Sequence, residues 1–134
     1  MEFSRPIIAL VDDDKIFQLT ASKTIKAIEL SNHILQFENG EDALVYLKNN
    51  QSDPGNLPDF LFLDINMPFV DGWMFLEDYS ALRPNLAKPM VIYMVSSSID
   101  PRDVQRAKSC SYVTDYVVKP VSMEKFRELL QRAA

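Results

Sequence analysis

The sequence predicts one α/β domain built on a parallel sheet. Three observations carry this: short apolar runs recur along the chain, amphipathic stretches separate them, and acidic or hydroxyl residues follow several of the runs. A chain of 134 residues fits one domain, since domains usually run to roughly 100–200 residues. Alternating strands and helices make βαβ crossovers the economical connection, with helices on both faces of the sheet.

Ile7–Val11 (IIALV) is compact and β-branched, as expected for a buried strand. A helix is predicted over residues 15–30, where Phe17, Ala21, Ile25 and Ile28 fall on one face. Residues 34–37 form a weaker second strand. Asn39 can cap a helix over residues 41–49, with Glu41 and Asp42 in its first turn. Residues 50–58 (NQSDPGNLP) read as a loop.

The second half repeats the pattern. Residues 60–63 (FLFL) are continuously apolar, as in a strand covered on both faces. Asp71 can cap a helix over Gly72–Leu82, which Arg83-Pro84 would end. Residues 90–95 form the fourth strand. Asp100-Pro101 supplies a cap and a first-turn proline for a helix reaching about Ser109. Residues 115–118 form the fifth strand, and Ser122 caps a last helix on which Met123, Phe126 and Leu130 share a face.

Composition excludes several functions. Fourteen basic against nineteen acidic residues leave a net charge of −5, which argues weakly against direct nucleic-acid binding. The longest apolar run, residues 90–95, falls far short of the roughly 20 residues of a membrane helix, and no secretory signal is visible at the start. One cysteine, Cys110, forms no internal disulfide and suits a reducing compartment, so a cytoplasmic location is expected. One His and one Cys give no conventional zinc site; His33 reads as structural or surface. Three glycines, at least fifteen residues apart, exclude glycine-rich phosphate loops.

The informative residues sit at the strand ends. Asp12-Asp13-Asp14 follows the first strand, Asp64 the third, Ser96-Ser97-Ser98 the fourth and Lys119-Pro120 the fifth. In a parallel sheet all four groups lie on the rim where such folds bind ligands. Any one Asp alone would be an ordinary helix cap. Together, three carboxylates raise one another's pKa unless a cation joins them, and Mg2+ with its oxygen ligands answers that. A lysine and a serine hydroxyl can contact a phosphoryl group, and a carboxylate can be its acceptor. The parts of a magnesium-assisted phosphoryl acceptor are present.

The segments IIALVDDDK (7–15), FLFLDINMPFVDGW (60–73), MVIYMVSSS (90–98) and DYVVKP (115–120) resemble the receiver domain of two-component response regulators. The resemblance runs from about Ile7 to Leu130, and a single receiver domain over residues 1–134 with no output domain is the expectation. It implies a doubly wound, flavodoxin-like (βα)5 fold with strand order 2-1-3-4-5. It also implies that Asp64 accepts the phosphoryl group, and that Asp12, Asp13, Asp64 and the backbone carbonyl of Asn66 hold Mg2+, with Mn2+ able to substitute. Ser96 and Tyr116 would be the switch residues, Lys119 would pair with the phosphoryl group, and the Lys119–Pro120 bond would be cis. Ser97 departs from the family, which often carries a small residue such as Ala there. The loop at 50–58 and the connection at 83–89 are longer than in compact receivers.

The implied donor is a sensor histidine kinase or a histidine phosphotransfer protein. The implied output is a downstream protein target, a relay, or a phosphorylation-linked dimer, through a surface spanning roughly residues 99–109, 115–118 and 123–130. Beyond donor-dependent self-phosphorylation and autodephosphorylation, no enzymatic turnover is expected. A haloacid-dehalogenase-like phosphatase is the competing reading: its D-x-D signature falls on Asp12 and Asp14, making Asp12 the nucleophile, but its downstream acidic metal-binding pair has no match. A flavin module would want a hydroxyl-rich loop after strand one, where this chain has carboxylates.

Overall fold

A computed structural model describes residues 6–29, 31 and 33–132. The element order is β1 (Ile7–Val11), α1 (Lys15–Ala27), β2 (His33–Phe37), α2 (Gly40–Asn49), β3 (Phe60–Asp64), α3 (Gly72–Leu82), a 3-10 turn (Arg83–Asn85), β4 (Val91–Ser96), α4 (Pro101–Ser109), β5 (Val113–Val118) and α5 (Met123–Arg132). All strand pairs are parallel, in the order β2-β1-β3-β4-β5. The strand order implied by the resemblance is the observed one.

Alternate residues of the central strands face opposite layers, which explains why their sequences are apolar throughout. Ile8, Leu10, Phe60, Phe62, Tyr93 and Val95 pack with Phe17, Ala21 and Ile25 of α1 and Phe126, Leu129 and Leu130 of α5. Ala9, Val11, Leu61, Leu63, Ile92 and Met94 point the other way, to Leu47 of α2, Phe75 and Tyr79 of α3, and Ala107 of α4. The Tyr93 hydroxyl, fully buried, donates to the Leu129 carbonyl at 2.7 Å and ties the sheet to α5.

The caps follow the sequence. Asp14, Asn39, Asp71 and Asp100 each accept main-chain N–H bonds at the start of α1, α2, α3 and α4, and Ser122 accepts from Lys125 N at 3.0 Å. Boundaries differ in places. The first helix was expected to reach residue 30 but ends at Ala27, because Glu29 turns into the left-handed region at φ 58°; Leu30 lies outside the described residues. The expected strand over 34–37 starts one residue earlier, at His33, whose side chain is exposed. The fifth strand begins at Val113 rather than 115, and a register irregularity falls within it, between Val113 opposite Ile92 and Asp115 opposite Tyr93.

Gly72 is where the rim needs a missing side chain. A Cβ there would lie 2.7 Å from the Asp64 carbonyl oxygen and 2.9 Å from Ile65 Cα. The close approach lets Gly72 N donate to Ile65 O at 2.8 Å and seats α3 directly behind the end of β3.

Candidate functional site

Strand register builds the site. Val11 pairs with Leu63 and Asp64 with Val95, so Asp12 and Asp64 emerge side by side at the carboxyl end of the sheet. Ser96 pairs with Val118, which brings Lys119 next to Ser96; Lys119 N donates to Ser96 O at 2.8 Å. Asp64 and Ser96 are the last residues of their strands rather than the first of the loops expected there. The hydrogen-bonded ladder therefore fixes their backbones.

Asp12 is 1% exposed and Asp64 5%, while Asp13 is exposed. Carboxylate oxygens of the three lie within 4.8 Å of one another. Lys119 Nζ stands 2.8 Å from Asp12 Oδ2 and 3.9 Å from Asp64 Oδ1, and it also lies 4.6 Å from the centre of the Phe17 ring. The ammonium is held between an aromatic face and two carboxylates.

Asp12 Oδ1 accepts from Asp14 N at 2.9 Å. Asp12 Oδ2 has no hydrogen-bond partner: its approach to Lys119 is an ion pair without hydrogen-bond alignment. A buried carboxylate oxygen left this way, beside two further carboxylates, fits a hard divalent cation that takes oxygen ligands.

Burial pushes the Asp64 carboxyl up to about 7, and the charge of Asp12 adds to the rise. Lys119 and the Asn66 N–H, which donates to Asp64 Oδ1 at 3.3 Å, pull the other way without cancelling it. One lysine does not neutralise this pair of acids.

The remaining expected residues are placed as follows. Ser96 is fully buried and its Oγ accepts from Ser98 N at 3.0 Å. Tyr116 is half-buried, with its hydroxyl donating to Ser98 O at 2.7 Å. Ser98 is thus tied from both sides, and its own Oγ accepts from Asp100 N at 3.1 Å. Ser97 and Asn66 are exposed. The Lys119–Pro120 peptide is cis.

Two residues at the site carry little signal in the sequence. Phe17 reads there as a core residue of α1, and its ring also faces Lys119. Gln18 is buried beneath the rim. A polar residue beside Phe17, on the face expected to be apolar, is the one hint available.

Comparison with known proteins agrees with this geometry. The chain is 29% identical over 125 residues to the probable methanogenesis regulatory protein FilR2 of Methanothrix harundinacea, covering 93% of this chain and 79% of that protein. Of several other curated relatives it spans only 15% to 50% of the length. A two-component response regulator from Cytophaga hutchinsonii superposes with a TM-score of 0.80 at 26% identity, over 93% of both chains. The receiver domain of the Pseudomonas aeruginosa sensor histidine kinase PA1611, solved with a magnesium ion in its active-site cleft, has the same fold (TM-score 0.77, 17% identity, 96% of this chain and 97% of that one). The family model for the response regulator receiver domain matches residues 8–131, and with the parallel 2-1-3-4-5 sheet and its acidic rim this chain belongs to that family of two-component signalling domains.

Proposed function

We propose that this receiver accepts a phosphoryl group on Asp64 and uses it as a switch. The observation that carries the reading is the buried Asp64 carboxylate, flanked by Asp12 and faced by Lys119 Nζ at 3.9 Å. In the transfer, an Asp64 carboxylate oxygen bonds to phosphorus as the phosphorus–nitrogen bond of a phosphohistidine breaks, and the imidazole leaves with that electron pair. The donor is a histidine kinase or a histidine phosphotransfer protein.

Asp12, Asp13 and Asp64 are the side chains that would hold Mg2+ or Mn2+, and the Asn66 backbone carbonyl would complete the protein's share. When bound, the ion neutralises charge on the transferring group. Lys119 supplies a second positive charge, and the Ser96 hydroxyl supplies a donor once it turns from Ser98 N.

That rotation and the Tyr116–Ser98 bond link the site to α4 and β5. The output surface is α4 with the loop before it, β5 and α5, on which Ile99, Val118 and Met123 are exposed apolar residues; it serves a protein target, a relay or a phosphorylation-linked dimer. Nothing in the family match supports Asp12 as a phosphatase nucleophile. Intact mass after incubation with acetyl phosphate tests the reading: one phosphoryl adduct is expected, requiring both Mg2+ and Asp64. An Asp64→Asn protein that labels like wild type would overturn it.

A further inference from the structure

Gln18 has no part in the chemistry above, yet its side chain and carbonyl make four hydrogen bonds beneath the rim. It is 7% exposed on the first turns of α1. Its Nε2 faces three main-chain carbonyls: Leu10 at 3.1 Å, Asp12 at 3.1 Å and Phe37 at 3.0 Å. An amide nitrogen carries two protons, so the three acceptors share them. The reversed amide would set its oxygen against three carbonyl oxygens, which fixes the orientation.

Its own Oε1 is buried and has no hydrogen-bond partner. An unsatisfied buried acceptor is a cost, and an apolar side chain of this shape would avoid it. The contacts explain what the cost is set against. Val11 pairs with Phe37, and Asp12 N donates to Phe37 O at 3.0 Å. Gln18 thus pins the point where β1 and β2 stop running together. The Gln18 carbonyl in turn accepts from Gln36 Nε2 at 3.3 Å, so β2 also holds the backbone of the helix that carries Gln18.

We infer that Gln18 is a positioning residue for the acidic pair: by holding the Asp12 carbonyl and the end of β1, it sets the direction in which the Asp12 and Asp13 carboxylates face a divalent cation. With Asp12 N–H on Phe37 and Asp12 C=O on Gln18, both main-chain groups of Asp12 are fixed. The carboxylate, held by Asp14 N through Oδ1, then presents Oδ2 to the site. This rests on reading the acidic cluster as a cation site.

The test compares Gln18→Met and Gln18→Leu, which remove the donor, with Ile25→Val, a core change on the same helix away from the rim. Circular dichroism establishes which variants fold. Calorimetric titration with Mg2+ gives affinity, and NMR hydrogen exchange in metal-free protein follows the Asp12 and Asp14 amides. Supporting partners of metal ligands typically cost 10–100-fold in affinity when removed. A rise in Kd of about tenfold is expected in the Gln18 variants, with faster exchange at both amides, and neither change in Ile25→Val. Wild-type affinity and exchange in a folded Gln18 variant would overturn the inference. If wild type itself bound no Mg2+, the cation reading would fail, while unchanged exchange would separately refute the hold on Asp12.

Discussion

Replacing Asp64 with Asn should stabilise the metal-free protein at alkaline pH, and the structure sets the size of the effect. Burial, then the charge of Asp12, pushes the Asp64 carboxyl up to about 7, whereas an unfolded Asp titrates near 3.9. Between those values the folded state keeps a proton that the unfolded state has released. Stability is therefore fully present below about pH 4 and is lost as pH rises through about 7. About three pH units, at about 1.4 kcal/mol each, give a loss on the order of 4 kcal/mol. Asn has the shape without the charge. At about pH 8 in chelator, Asp64→Asn should exceed wild type by on the order of 2–4 kcal/mol, and near pH 4 the two should converge. Urea denaturation followed by Trp73 fluorescence measures both. A difference between the two proteins that stays constant across this pH range would refute the reasoning. Added Mg2+ should restore wild type, by about 2.7 kcal/mol at a hundredfold excess over its Kd, and should restore Asp64→Asn less.

Three further outcomes are expected. Lys119→Met removes the cation 2.8 Å from Asp12 and should cost about 3 kcal/mol in metal-free buffer, read by the same denaturation. Gly72→Ala places a Cβ 2.7 Å from the Asp64 carbonyl; overpacking of this kind costs about 1–3 kcal/mol, and the variant should also lose acetyl-phosphate labelling in intact mass. Tyr116→Phe deletes the bond to Ser98 O and should cost about 1 kcal/mol while speeding amide exchange along residues 97–100.

Strands and caps were legible because their signals are local. Continuous apolar runs mark β1, β3 and β4, and a side-chain oxygen two or three residues ahead of an unpaired N–H marks each capped helix. The aligned acids were legible because a parallel sheet converts sequence position into rim position. Helix ends were harder: Glu29 gives no sign of its left-handed backbone, since it lacks the glycine that usually marks one. The role of Gln18 was illegible for a different reason. Its partners are main-chain carbonyls at residues 10, 12 and 37, and a carbonyl has the same appearance at every position of a sequence.

The acidic and hydroxyl residues at the strand ends have a second consequence, during synthesis. β1 pairs on one side with β3, Ile8 lying opposite Phe60, so a nascent chain carries IIALV with one edge open until some fifty residues later. Short apolar β-prone segments in that condition are the ones that aggregate, and charged residues flanking them suppress it. Asp12-Asp13-Asp14 ends IIALV, Asp64 ends FLFL, and Ser96-Ser97-Ser98 ends VIYMV. By that rule the aspartates that gather at the folded rim would also favour the solubility of β1 and β3 before they are paired. Neutralising Asp12 and Asp13 together would then lower the yield of folded protein from the ribosome even where the finished fold is no less stable.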